Sequence, residues 1–92
     1  MKYRSRTEII ATMLESVRSG STKTKIMYKA YLSYNQLKEY LQFLQESNLI
    51  KYESGSQIYR ITDKGFQFLR AYEEISGLVA QNDPLKQKSF VI

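Results

Sequence analysis

SYNQLKEYLQFLQESN, residues 33–48, decides how the rest of the chain is read. Ser33 followed three residues later by Gln36 is a capping-box pattern: the hydroxyl accepts from the backbone of the first turn, and the amide reaches back to the backbone of Ser33. Asn48 suits a left-handed stop. Between them Leu37, Tyr40, Leu41 and Leu44 recur at three- and four-residue spacing, which predicts a helix with one buried stripe. The opposite face carries Asn35, Lys38, Glu39 and Gln42. Long polar side chains with forked hydrogen-bonding groups suit the base edges of a DNA major groove, and equally suit the solvated face of an ordinary surface helix.

On the N-terminal side, Thr22 is an N-cap for a short helix over about Lys23 to Ala30, and Tyr31 and Leu32 leave only a tight connection before Ser33. Ile26, Met27 and Ala30 share one side of this helix. Lys25 and Lys29 lie largely outside that stripe and Lys23 sits in the exposed first turn, where lysines either hold phosphates or form a solvated basic face. Two helices joined by a three- or four-residue turn, the second with a polar outer face, make a helix-turn-helix pattern. Further back, Ser5 with Glu8 is a second capping box, and Ile9, Ile10, Met13, Leu14 and Val17 predict a buried helical stripe from about Ser5 to Arg18. Gly20 is expected as the left-handed residue that ends it.

On the C-terminal side the period changes from helical to alternating. Residues 49–53 read as a strand, Ser54, Gly55 and Ser56 as a turn, and Gln57 to Ile61 as the return strand of a hairpin. Gln57 and Arg60, with Lys51 on the partner strand, are within reach of a phosphate backbone, or are plain solvated hairpin residues. Thr62 caps a fourth helix whose stripe is expected to be Phe66, Leu69, Tyr72 and then Ile75 or Leu78. A helix that outruns its own domain leaves such a stripe exposed, and burial against a second copy is the usual remedy. Phe68, Tyr72, Ile75, Leu78 and Val79 are therefore the candidate homodimer contacts. Gln81, Asn82, Asp83 and Pro84 form a breaker cluster, and the tail beyond, with apolar Phe90, Val91 and Ile92, is expected to be a flexible end.

The composition narrows the function. Ninety-two residues make one domain, with residues 1–76 as its body and the end of the last helix and the tail at 77–92. No run of about eighteen apolar residues is present, so no membrane span is expected, and the N-terminus lacks the apolar region of a secretory signal, which points to the cytoplasm. With no His and no Cys, zinc sites, thiol nucleophiles and Ser-His-Asp triads are unavailable, and no acid pair or phosphate loop has a convincing spacing. We expect no enzyme, no metal and no cofactor. The net charge of +5 is unevenly placed: residues 1–38 hold eight Lys or Arg against two Glu, a balance of +6, while residues 39–92 balance to −1. One-sided basic charge suits a polyanion such as double-stranded DNA, although modest positive charge also aids solubility.

Helix, helix, helix, hairpin, helix is the order of a winged helix-turn-helix: α+β, mostly helical, with a three-helix core, a β-hairpin wing and a C-terminal dimerisation helix. In that frame the candidate DNA contacts are Lys23, Lys25, Lys29, Ser33, Tyr34, Asn35, Gln36, Lys38, Gln42, Ser56, Gln57 and Arg60. The run TKTKIMYKAYLSYNQLKEYLQFLQESNLIKY, followed by YRITDKGFQFLRAYEEI, resembles the small archaeal winged-helix proteins described as predicted transcriptional regulators. Leu32, Ser33, Tyr34, Gln36 and Leu37 carry the resemblance in the turn; Tyr59, Thr62, Lys64, Gly65, Phe68 and Leu69 carry it at the start of the last helix. The resemblance covers about residues 3 to 76. It implies a transcriptional regulator from an archaeon or an archaeal virus, in a family with chromatin-associated members that dimerise through an elongated C-terminal helix forming an antiparallel coiled coil. Here Gly77 and Pro84 are expected to interrupt that helix, which favours a shorter helix-to-helix dimer.

Three readings follow. The leading one is a homodimeric, sequence-selective DNA-binding regulator that reads the major groove with the helix from Ser33. A second is an architectural DNA-binding protein with little sequence preference. A third is a protein-interaction winged helix that touches no nucleic acid, for which Glu39 in the middle of the polar face is the main support, since a carboxylate repels phosphate.

Overall fold

Each helix of the chain starts where a hydroxyl side chain can cap it. In the computed structural model, which describes residues 4–82 with side chains to residue 77, the elements are α1 (Arg6–Ser16), α2 (Lys23–Ala30), α3 (Tyr34–Glu46), β1 (Ile50–Glu53), β2 (Ile58–Ile61) and α4 (Asp63–Asn82). Ser5 and Ser33 both form complete capping boxes: Glu8 N–H donates to Ser5 Oγ at 3.0 Å and Gln36 N–H to Ser33 Oγ at 3.2 Å, with each partner side chain accepting from the cap backbone. Thr22 accepts from Lys25 N–H, and Thr62 from Gly65 N–H at 3.0 Å. Losing one such cap costs about 1 kcal/mol.

The helix ends depart from expectation more than the starts. α1 stops at Ser16, and Val17 turns inward as its buried C-cap. Gly20 is left-handed (φ +94), but it lies in the loop beyond the helix end. Its freedom serves a close approach, since a Cβ there would sit 3.0 Å from both Arg60 Nη1 and Ile58 Cγ2. α3 ends as its sequence indicates: Asn48 is left-handed (φ 62) and Leu49 N–H donates back to Leu44 O at 2.9 Å.

β1 and β2 pair antiparallel with Ile50 opposite Ile61, Lys51 opposite Arg60, Tyr52 opposite Tyr59 and Glu53 opposite Ile58. The loop is therefore 54–57, one residue longer than expected, and its left-handed residue is Gln57 (φ 56), not Gly55. The α1–α2 loop joins the hairpin through Ser21, whose backbone exchanges hydrogen bonds of 3.0 and 2.8 Å with Tyr59. The ends of the hairpin are closed on each other. Thr62 Oγ1 donates to Asn48 O at 2.7 Å, Thr62 N–H to Leu49 O at 3.1 Å, and Lys64 Nζ to Ser47 O at 2.9 Å.

The core gathers Ile9, Ile10, Met13 and Leu14 from α1 with its C-cap Val17, Ile26 and Ala30 from α2, Leu37, Leu41 and Leu44 from α3, the hairpin base with Leu49, Ile50, Tyr59 and Ile61, and Leu69 from α4. Each fully buried aliphatic side chain here contributes roughly 1.5–3 kcal/mol. α4 enters on Gly65, where a Cβ would collide with the carbonyl oxygen of Leu49 and sit 2.6 Å from Ile61 Cγ1. That approach sets the phase of the helix. Its inward line is Gly65, Phe68, Leu69 and Tyr72, so Phe66, expected in the buried stripe, is instead 40% exposed, with the Arg18 guanidinium 5.8 Å from its ring centroid.

α4 runs through Gly77 without a break, contrary to expectation, and spans about 30 Å at 1.5 Å per residue. One Gly in a helix costs only about 1 kcal/mol. Residues 73–77 are all exposed, and Ile75 is 60% exposed. Leu78 and Val79 fall on helical backbone, but their side chains, like Pro84 and the tail with Phe90, Val91 and Ile92, lie outside the described residues. No described helix is long and apolar enough to cross a membrane.

Candidate nucleic-acid interface

The outer face of α3 presents Asn35, Lys38, Glu39 and Gln42 to solvent, as its periodicity predicts. Ser33 and Gln36 are tied to each other and to the backbone by the capping box, so they fix where the helix begins. Tyr34 follows at the first helical position, with the Lys38 ammonium 5.4 Å from its ring centroid. Gln42 Nε2 donates to Glu46 Oε2 at 3.1 Å. Glu46 was not singled out in the sequence, although it falls one turn beyond Gln42 on the same face.

Two adjoining depressions lie between the start of α2, α3 and the wing. One of about 410 Å³ is lined by Lys23, Lys38, Leu41, Gln42, Gln45, Glu46 and Tyr59. The other, about 350 Å³, is lined by Thr22, Lys23, Thr24, Tyr52, Gln57 and Tyr59. Lys23 and Tyr59 border both, so the two make one cleft. It brings together Lys23, Lys38, Gln42 and Gln57, which the sequence names on separate elements. Thr24, Gln45, Tyr52 and Tyr59 also line it and were not singled out. The two tyrosines pair across the strands with ring centroids 4.8 Å apart, a pairing that a turn at 54–56 hides by setting Tyr52 opposite Ile58. Burial pushes the Tyr59 hydroxyl above the usual tyrosine range, helped by Tyr52 beside it, so Tyr59 stays a hydrogen-bond donor across ordinary pH.

The remaining basic candidates are placed elsewhere. Lys29 lines a separate depression of about 420 Å³ between α1 and α4, together with Arg4, Glu8, Glu15 and Tyr72 among others. Lys25 and Lys29 are separated by four residues and so share one face of α2, while Lys23 lies round the helix from them. In the wing, Arg60 Nε donates to Glu53 Oε2 at 2.9 Å and Arg60 Nη1 to Ser19 O at 3.2 Å. Ser56 Oγ also donates to Glu53, at 3.2 Å. The hydrogen bond from Arg60 holds the Glu53 carboxyl below the usual range. Arg60 and Ser56 are thus tied to Glu53 on a partly exposed side of the wing, and Gln57 is the wing-tip candidate that borders the cleft. Glu39 shares a small depression with Arg6 and Tyr40, and the Arg6 guanidinium lies 5.7 Å from the Tyr40 ring centroid.

The fold that carries α3 and the wing recurs in known proteins. A family model for the winged helix-turn-helix matches residues 3–80. Among solved structures, Sso10a-2, a DNA-binding protein from Sulfolobus solfataricus, superposes with a TM-score of 0.76 at 27% sequence identity, over 94% of this chain and 93% of that one. No curated protein matches the chain. The match over residues 3–80 is most of the sequence, and the chain belongs to the winged helix-turn-helix family.

Proposed function

We propose that this winged helix-turn-helix protein is a homodimeric, sequence-selective regulator of transcription that binds double-stranded DNA in the cytoplasm of an archaeal host. The observation that carries the reading is the convergence of Lys23 and Lys38 on one cleft beside the outer face of α3. Lysines there hold phosphates without reading sequence, and they seat α3 so that Asn35 and Gln42 meet base edges in the major groove. Gln57 follows the backbone from the wing tip. The DNA-binding description of Sso10a-2, similar over nearly the whole chain, supports the same partner. Exposed Ile75, on a helix that continues past the core to Asn82, supports pairing of α4 with a second copy. Twofold symmetry would then space two half-sites about one helical turn apart, or a multiple of it.

Selection of bound DNA from a random pool tests this directly. An enriched palindrome is the expected outcome; retention of DNA with no enriched sequence would sink sequence selectivity. One observation favours that second, architectural reading: Gln42 Nε2 already donates to Glu46, so one of the two amides assigned to base reading is committed within its own helix. Competition of a selected site against bulk DNA separates the two readings.

A further inference from the structure

The stretch 28–34, where α2 turns into α3, holds three large side chains that remain in water. Tyr28 is 70%, Tyr31 84% and Tyr34 56% exposed. They follow one another at three-residue steps, and Tyr31 N–H donates to Tyr28 O at 3.3 Å, so their backbones are close neighbours. Tyr31 is the unexpected one. Its backbone is left-handed (φ 54, ψ 51), a conformation that Gly or Asn adopts far more readily than a bulky side chain. With its ring in water, no core packing offsets that strain, and such positions cluster at functional sites.

Cations border this stretch, one of them over a ring. Arg4 Nη2 donates to Tyr31 O at 3.0 Å, the Lys38 ammonium lies over one face of Tyr34, and exposed Lys25 stands one turn before Tyr28 on α2. A duplex makes little use of exposed rings, because its bases are already stacked and its phosphates attract charge. Unpaired bases present π-faces that aromatic rings cover, while neighbouring cations hold the strand. We propose that Tyr28, Tyr31 and Tyr34 form a stacking platform for single-stranded nucleic acid, which adjoins the duplex cleft between α3 and the wing at Lys38.

Fluorescence anisotropy tests the platform with labelled oligo-dT and oligo-U of about 15 nucleotides and a blunt duplex of the same length. The Tyr28→Ala/Tyr31→Asn variant is expected to lose about tenfold or more on single strands and to stay within about twofold on the duplex, which gains little from ring faces. Tyr31→Asn suits the left-handed backbone, so its thermal midpoint should hold or rise while single-strand affinity falls, which separates loss of the ring from loss of the fold. Tyr28→Phe/Tyr31→Phe keeps both rings and should bind single strands as the wild type does. Loss on either oligonucleotide supports the platform, and the stronger of the two tells DNA from RNA. The proposal fails if the wild type binds neither oligonucleotide, if the Ala/Asn variant loses as much on the duplex as on single strands, or if the Phe variant loses as much as the Ala/Asn variant. The duplex measured alone reports on the α3 cleft, so failure of one site leaves the other readable.

Discussion

The wing and the helix-turn are both polar, both basic in sequence and both at the surface, yet the fold treats them in opposite ways. The wing is bolted down. Gly65 lets α4 press against its base, Gly20 lets the α1–α2 loop press against its side, and Arg60 joins Glu53 to the Ser19 carbonyl. The helix-turn is presented: Lys23, Lys38 and the tyrosines of 28–34 are exposed, and the backbone beneath them is fixed by the capping box of Ser33. Where charge sits in a sequence therefore does not say whether a partner inside the fold already answers it. Substitutions in the wing's supports should change stability and leave binding intact, and those in the helix-turn should do the reverse.

The largest expected effect is Gly65→Ala. A methyl group there meets the Leu49 carbonyl and the Ile61 side chain, so α4 or the hairpin must shift, at a cost of about 3 kcal/mol. Chemical denaturation reads this loss, and a variant as stable as the wild type would mean that α4 is not pressed to the hairpin. Next is Lys23→Ala/Lys38→Ala, expected to leave the melting curve unchanged and to lower the log–log salt slope of duplex binding by about 2, one for each phosphate contact. An unchanged slope would remove both lysines from the interface.

The wing clamp should appear as a pH effect. Glu53 is held below its ordinary range, so its contribution is present above the unfolded carboxylate value and is lost as pH falls through the depressed folded value. Thermal midpoints of wild type and Glu53→Gln should differ near neutrality and converge in acid, and parallel curves would contradict the clamp. The smallest effect belongs to Ser21→Ala. Ser21 is buried and its hydroxyl has no hydrogen-bond partner among the described residues, so the variant should be as stable as the wild type or more so, by about 0.5–1 kcal/mol. A clear loss of stability would reveal a partner for that hydroxyl.

What the sequence discloses follows the range of the interaction that decides it. Caps at Ser5, Thr22, Ser33 and Thr62 are settled within three residues, and all four were legible. So were the apolar stripes of α1 and α3, which need only the helical period. Phe66 was misplaced because the phase of α4 is set by Gly65 against the hairpin, a contact across the chain. The pairing of Arg60 with Glu53 was hidden by the loop. Taking the turn as 54–56 shifts the strand register by one residue, which changes every cross-strand neighbour. In the candidate site the residues of α3 were legible as one face. The grouping of Lys23 with the wing tyrosines, and the separation of Lys29 from them, depended on how the helices pack.

Thr62 has a consequence beyond capping. By joining the residues that follow α3 to the start of α4, it closes the base of the hairpin without reference to the tip. Residues 54–57 thus form an interchangeable cassette on a fixed frame. Doubling the length of that loop costs only about 0.6 kcal/mol in closure entropy, so wings of quite different reach can be exchanged there, in evolution or by grafting, while the frame that aims α3 stays as it is.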